Sequence, residues 1–208
     1  LVCQQLDGMP LAIELAASRV KVLKVEQIAA RLNHCFRLLT AGSRTVLPRH
    51  QTLRATIDWS YELLSENEKT LLARLSVFAG WFSLEAAEKI CAGASIAEDE
   101  VLDLLSHLID KSLIVATQRE GEGLTRYRLL ETVRQYGQER LSEAEETTAV
   151  QLRHARFYLK VAEEGEPRIN TEARGLWLGR LGREHDNLRA ALSYALELQD
   201  TESALRLV

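Results

Sequence analysis

Residues 49–82, RHQTLRATIDWSYELLSENEKTLLARLSVFAGWF, hold two helical patterns divided by a helix-start signal. Leu53, Thr56, Ile57, Ser60, Tyr61 and Leu64 recur at steps of three and four, which places them on one face of a helix. Ser65 followed by Glu68 reads as a capping box: the hydroxyl can accept an orphan first-turn amide while the carboxylate reaches back to the cap. The helix that starts there carries Leu71, Leu72, Leu75 and Phe78 on its apolar face. Gly80 is expected to end it in the left-handed conformation. Two modules are expected to meet at this joint.

Downstream, Ser83 can cap a helix with Leu84, Ala87, Ile90 and Cys91 inside, and Gly93 is expected to stop it. Ser95 and Glu98 read as a second capping box, ahead of a helix burying Val101, Leu104, Leu105 and Leu108. The pattern then turns extended in SLIVATQ, passes a Gly-containing turn at REGEG and returns through LTRYRLL, which predicts a two-stranded hairpin. ETVRQYGQERL closes the unit as a helix with Val133, Tyr136, Gly137 and Leu141 facing inward. Helices, hairpin and closing helix are the ingredients of a winged-helix domain over residues 65–141.

Upstream, residues 1–64 read as a helical bundle. Pro10 suits a first helical turn, where its missing amide costs nothing. Leu11, Leu15, Ala16 and Val20 make one narrow stripe, and Val25, Ile28, Ala29 and Leu32 a second. Residues 142–208 read as the start of TPR-like helical hairpins. Leu152, Ala155, Leu159 and Ala162 are spaced three, four and three; Gly165 and Pro167 break the pattern. One long helix is expected to carry Trp177, Leu181, Leu188, Leu192 and Leu196, with another beginning near Asp200. The fold class is therefore mainly α.

The 208 residues are 46% hydrophobic and 27% charged with only 3 Pro, a composition of soluble helical proteins. No apolar run approaches the roughly 18 residues of a membrane span. The chain begins and ends inside helical patterns and has no signal-peptide pattern, so it reads as a segment of a longer cytoplasmic protein. Cys3, Cys35 and Cys91, odd in number and set among apolar neighbours, are expected to be buried reduced thiols. The net charge of −4 is uneven. Residues 1–64 carry 8 basic and 5 acidic side chains, residues 65–126 carry 6 and 11, and the rest 12 and 14.

Gly8-Met9-Pro10-Leu11-Ala12, LLSENEKTLLARLSVFAGWFSLEAAEKIC and YRLLETVRQYGQERL together resemble the signal-transduction ATPases with an NB-ARC-like module, the STAND class. The last string is similar to the winged-helix end of large bacterial transcriptional regulators of the LuxR and AfsR type. The resemblance covers residues 1 to about 141 and implies a nucleotide switch in a longer parent. That parent would bind ATP or ADP through a nucleotide-binding domain in cis that precedes the bundle. No G-x-x-x-x-G-K-[ST] loop occurs here, so neither catalysis nor a cofactor is expected of this segment alone. The resemblance places Pro10 against the adenine side of the nucleotide. It aligns a Met-His-Asp motif with Leu129, Leu130 and Glu131; the phosphate-sensing histidine is replaced by leucine, and Glu131 can instead serve its own helix.

A winged helix raises duplex DNA as a partner. The third helix would read it, but it opens with Glu98, Asp99 and Glu100 and continues to Asp103, a face that phosphates repel. The wing mixes Arg119 and Arg126 with Glu120 and Glu122. Direct DNA binding is therefore not expected, and packing is the expected use of the winged helix. His34 beside Cys35 lacks further ligands at metal-site spacing. Trp59, Trp81 and Trp177 read as packing residues. The helical tail, Arg153 to Arg206, is the expected place for a protein or small-molecule effector.

Overall fold

A computed structural model describes residues 60–118 apart from 94, then 124–165 and 174–207, with positions 20, 24, 25, 27, 54, 57 and 58 before them. The calls on Pro10, Cys3, Cys35, His34, Trp59, Arg119, Glu120 and Glu122 lie outside the described residues. Val20 and Val25, expected in apolar stripes, are 55% and 52% exposed.

The capping box at Ser65 forms as expected. Ser65 Oγ accepts from the Glu68 amide at 3.3 Å and Glu68 Oε2 accepts from the Ser65 amide at 2.7 Å. It starts α1, Glu66–Leu75, whose Leu71, Leu72 and Leu75 are almost completely buried. Each such leucine is worth about 1.5–3 kcal/mol relative to exposure. The helix stops at Leu75 with Ser76 as its cap, and Gly80 does not adopt the left-handed conformation. The Ser76 hydroxyl donates to the Ala73 carbonyl at 2.6 Å, which gives a local partner to the last turn. A Cβ at Gly80 would lie 3.1 Å from Asp186 Oδ2, a tight contact with an exposed side chain.

The released segment lets Phe82–Ser83 become a strand, β1, before Ser83 caps α2, Leu84–Cys91, through the Ala86 amide. The second predicted box lies two residues later than Ser95–Glu98. Glu100 accepts from the Ala97 amide at 2.9 Å and opens a 3-10 turn, Glu98–Glu100, that runs into α3, Val101–Asp110. Ala97 has no side-chain acceptor, so only the carboxylate half of the motif exists.

Strands β2, Ile114–Gln118, and β3, Thr125–Leu129, pair antiparallel with Ile114 opposite Leu129 and Gln118 opposite Thr125. The expected hairpin is thus two strands of a three-stranded sheet in the order β1-β3-β2, with Phe82 opposite Tyr127. Phe82 earns its place in the sheet through stacking: its ring lies 4.2 Å from Phe78 and 6.0 Å from Tyr127. Helix α4, Glu131–Glu143, packs against α1. Gly137 permits this, because a Cβ there would sit 2.9 Å from Ser76 Cβ. Tyr61, in the preceding helix, meets Tyr136 edge-on at 5.3 Å.

Four further helices follow: α5, Thr147–Gly165; α6, Arg174–Arg183; α7, His185–Glu197; and α8, Thr201–Arg206. The single long helix expected through Trp177 and Leu196 is broken at Glu184, whose carboxylate is drawn inward by a partner described below. Leu196 is consequently 62% exposed. Asp200 caps α8 through the Ser203 amide at 3.1 Å, where a helix start was expected. The hydrophobic core continues from α1, α2 and α3 through Val150, Ala155 and Tyr158 of α5 to Ala191 of α7. The structure is mainly helical with one small antiparallel sheet. No helix among the described residues is long and apolar enough to cross a membrane.

Candidate nucleic-acid interface and the seam behind the wing

In a winged helix the third helix and the wing are the surfaces that can meet DNA. The outer side of α3 exposes Leu102, Asp103, Ser106, His107 and Asp110. Between Glu98 and Asp110 the chain has five carboxylates, Glu98, Asp99, Glu100, Asp103 and Asp110, and neither Lys nor Arg. Lys111, next in sequence, donates to Glu68 Oε1 at 2.7 Å, and His107 Nδ1 lies 3.4 Å from the same oxygen. Burial pushes the Glu68 carboxyl up, but the bonds from Lys111 and Ser65 outweigh it and hold the group below the ordinary carboxylate range. Lys111 is thus tied to the α1 cap.

Two arginines of β3, Arg126 and Arg128, are also engaged. Arg126 on β3 pairs with Glu184 at the α6–α7 turn, and its Nη2 donates to the Trp81 carbonyl at 2.8 Å. The second Glu184 oxygen accepts from Tyr158 Oη at 3.3 Å and Asn187 Nδ2 at 3.4 Å. Asn187 further donates to the Trp81 carbonyl at 2.9 Å and accepts from the Ala79 amide at 3.0 Å. Tyr194 Oη donates to the Val77 carbonyl at 3.0 Å. The loop between α1 and β1, residues 76–81, is therefore held by side chains of the C-terminal helices. Arg128 places its guanidinium 5.0 Å from the centre of the Trp81 ring.

A second tie lies on the other side of α1. Arg74, almost fully buried, donates to both Glu146 oxygens at 2.6 and 2.7 Å and to the Cys91 carbonyl at 2.9 Å. The Arg74 hydrogen bond holds the Glu146 carboxyl below its ordinary range. Arg153 of α5 donates to the Ile90 carbonyl at 2.7 Å, where α2 ends. His154 is 0% exposed, and neither ring nitrogen makes a hydrogen bond of full geometry, with the Asn187 side chain lying near it. Its ring lies 4.6 Å from Tyr158, 5.3 Å from Tyr194 and 5.6 Å from Phe78.

Glu131 stands first in α4, where the helix dipole favours a negative charge. Its carboxylate accepts from Arg134 at 2.7 and 2.8 Å and from Gln135 at 2.7 Å. Leu130 occupies the cap position. Trp177 is buried under Arg180, whose guanidinium lies 4.9 Å from the ring centre. Cys91 is buried and free, as expected for its apolar setting. No group of three or more metal-ligating side chains occurs among the described residues. Sequence reasoning missed Glu184, Asn187 and His154. Each looks like an ordinary polar helix residue, and only its partners in space distinguish it.

Residues 64–142 match the family described as the winged helix-turn-helix domain, the same stretch that folds here into the sheet and α1–α4. Over 206 residues, 99% of this chain, the sequence is 44% identical to a protein of Mycobacterium bovis named "Putative HTH-type transcriptional regulator". A Mycobacterium tuberculosis protein with that name shows the same identity over the same length. The chain spans 23% of the length of these curated relatives. An "Uncharacterized protein" of Mycobacterium tuberculosis is 44% identical over 160 residues, 76% of this chain and 40% of its own length. No solved structure matches the chain.

Proposed function

We propose that this chain is the winged-helix core of a transcriptional regulator, and that the winged helix works as a docking element clamped by the C-terminal helices. The observation that carries this reading is the engagement of the wing. Arg126 on the wing strand is only 14% exposed and is paired with Glu184, while the outer side of α3 has no Lys or Arg between Glu98 and Asp110. Placing five carboxylates against duplex phosphates is electrostatically unfavourable. The names of the mycobacterial relatives support the regulatory role.

The nucleotide switch belongs to this proposal. A nucleotide-binding domain in cis would hold ATP or ADP with Pro10 at the adenine, and its state would bias how the winged helix is clamped. The helices from α5 onward, TPR-like in this reading, would receive an effector, and the protein would act in the cytoplasm. The resemblance of Gly8–Ala12 and the strings after it supports the switch.

A second reading, direct DNA contact by the winged helix, is favoured by the domain match at residues 64–142. Electrophoretic shift of duplex DNA across a salt series separates the two. Docking predicts no shift at physiological salt. A shift whose affinity falls steeply with salt would establish the second reading instead.

A further inference from the structure

Beside the seam lies a cleft of about 340 Å³ whose walls come from three helices: Lys89 on α2, Arg153, Arg156 and Lys160 on α5, and Arg180 on α6. Two carboxylates, Glu85 and Glu164, share the lining, and Lys89 is bound to Glu98 at 2.6 Å, so the five cations leave a surplus of two positive charges. The whole chain has a net charge of −4, which makes this concentration of cations a local departure. Phe157 and Val161 give the cleft an apolar floor.

The cations come together for a structural reason. Arg153, Arg156 and Lys160 are spaced three and four apart and share a face of α5. That face turns toward α2 because α5 packs on it. Arg153 bonds through Nε to the neutral Ile90 carbonyl. Burial, then repulsion from Arg74, holds its guanidinium below the ordinary arginine range, and an added negative charge would offset the repulsion. Lys160 lies at 4.0 Å from Glu164, too far for a hydrogen bond.

We infer that this cleft binds a small polyanion, a phosphorylated or polycarboxylate molecule with an apolar portion that lies on Phe157. The volume falls in the range of small-molecule sites and is too confined for a duplex. Arginine and lysine together recognise such groups, the guanidinium by paired bonds and the ammonium as a point charge. A bound polyanion would bridge α2 of the winged helix to α5 and α6, strengthening the same seam that Arg126 and Glu184 close. The inference stands apart from whether the winged helix itself meets DNA.

Titration calorimetry and thermal unfolding of the 208-residue chain with inorganic tripolyphosphate, at constant physiological ionic strength, test it. The expected result is saturable binding of one equivalent with a rise in melting temperature. The variant Arg156→Ala/Lys160→Ala, altered at two exposed positions, should keep its circular dichroism and bind at least tenfold more weakly. Absence of saturable binding, equal binding by the variant, or an equal rise in melting temperature with sodium chloride at matched ionic strength would overturn it. So would binding of duplex DNA through these residues in the absence of tripolyphosphate binding.

Discussion

Arg126 on the wing strand and Glu184 at the α6–α7 turn form an ion pair with side chains only 14% and 8% exposed. It joins the winged helix to helices 58 residues further along the chain. A charge pair this buried costs desolvation that its own attraction roughly matches, so its weight lies in specifying how the two parts meet.

Removing one member should be far worse than removing both. Glu184→Ala leaves a buried guanidinium with only the Trp81 carbonyl and should destabilise the chain by about 3 kcal/mol. Arg126→Leu/Glu184→Leu should recover most of that loss. Urea unfolding of the two variants checks it; a Glu184→Ala cost below about 1 kcal/mol would show that the pair does not hold the seam.

Gly137→Ala sets two known effects against each other. Alanine favours a helix interior by about 1 kcal/mol. The new methyl would also sit 2.9 Å from Ser76 Cβ and 3.1 Å from the Leu72 carbonyl oxygen, an overpacking that costs about 1–3 kcal/mol. Because one contact is backbone, the clash should win, and the melting temperature should fall.

Burial pushes the His154 imidazole down to about 3. The unfolded chain titrates its histidine near 6.5, so on acidification the unfolded state takes up the proton first. Stability is therefore full above pH 6.5 and is lost as pH falls toward 3. Between pH 7 and 5 this single group should remove about 2 kcal/mol. His154→Phe, set among Phe78, Tyr158 and Tyr194, should flatten the stability profile over that window. A wild-type profile already flat there would refute the assignment.

Cys91 is 0% exposed, and burial raises its thiol to about 12. In a Cys3→Ser/Cys35→Ser background, a thiol reagent at pH 8 should react with Cys91 only on unfolding. Reaction at the rate of a free thiol in the native protein would contradict the packing of α2.

Much of the winged helix was legible because its signals are local. The Ser65–Glu68 box, the Ser83 cap, the apolar faces of α1 and α3 and the hairpin all depend on residues within a few positions of one another. The misreadings share a different cause. Gly80 was read as a helix end from chain-local rules, yet α1 had already ended at Leu75. The side chain nearest to Gly80 is that of Asp186, more than a hundred residues away. The third strand, Phe82–Ser83, was invisible because two residues carry no periodicity; stacking on Phe78 and Tyr127 selects it.

The amino-acid sequence by itself determined where most helices begin, which faces they bury, and that the outer side of α3 is acidic. These follow from caps, periodicity and formal charge, all of which act over a turn or two of chain. Only the tertiary structure decided that Arg126 faces Glu184, that His154 is sealed among aromatic rings, and that five cations on three helices surround one cleft. Those relations join positions remote in sequence. No local pattern encodes them, because burial and Coulomb energy depend on distance in space.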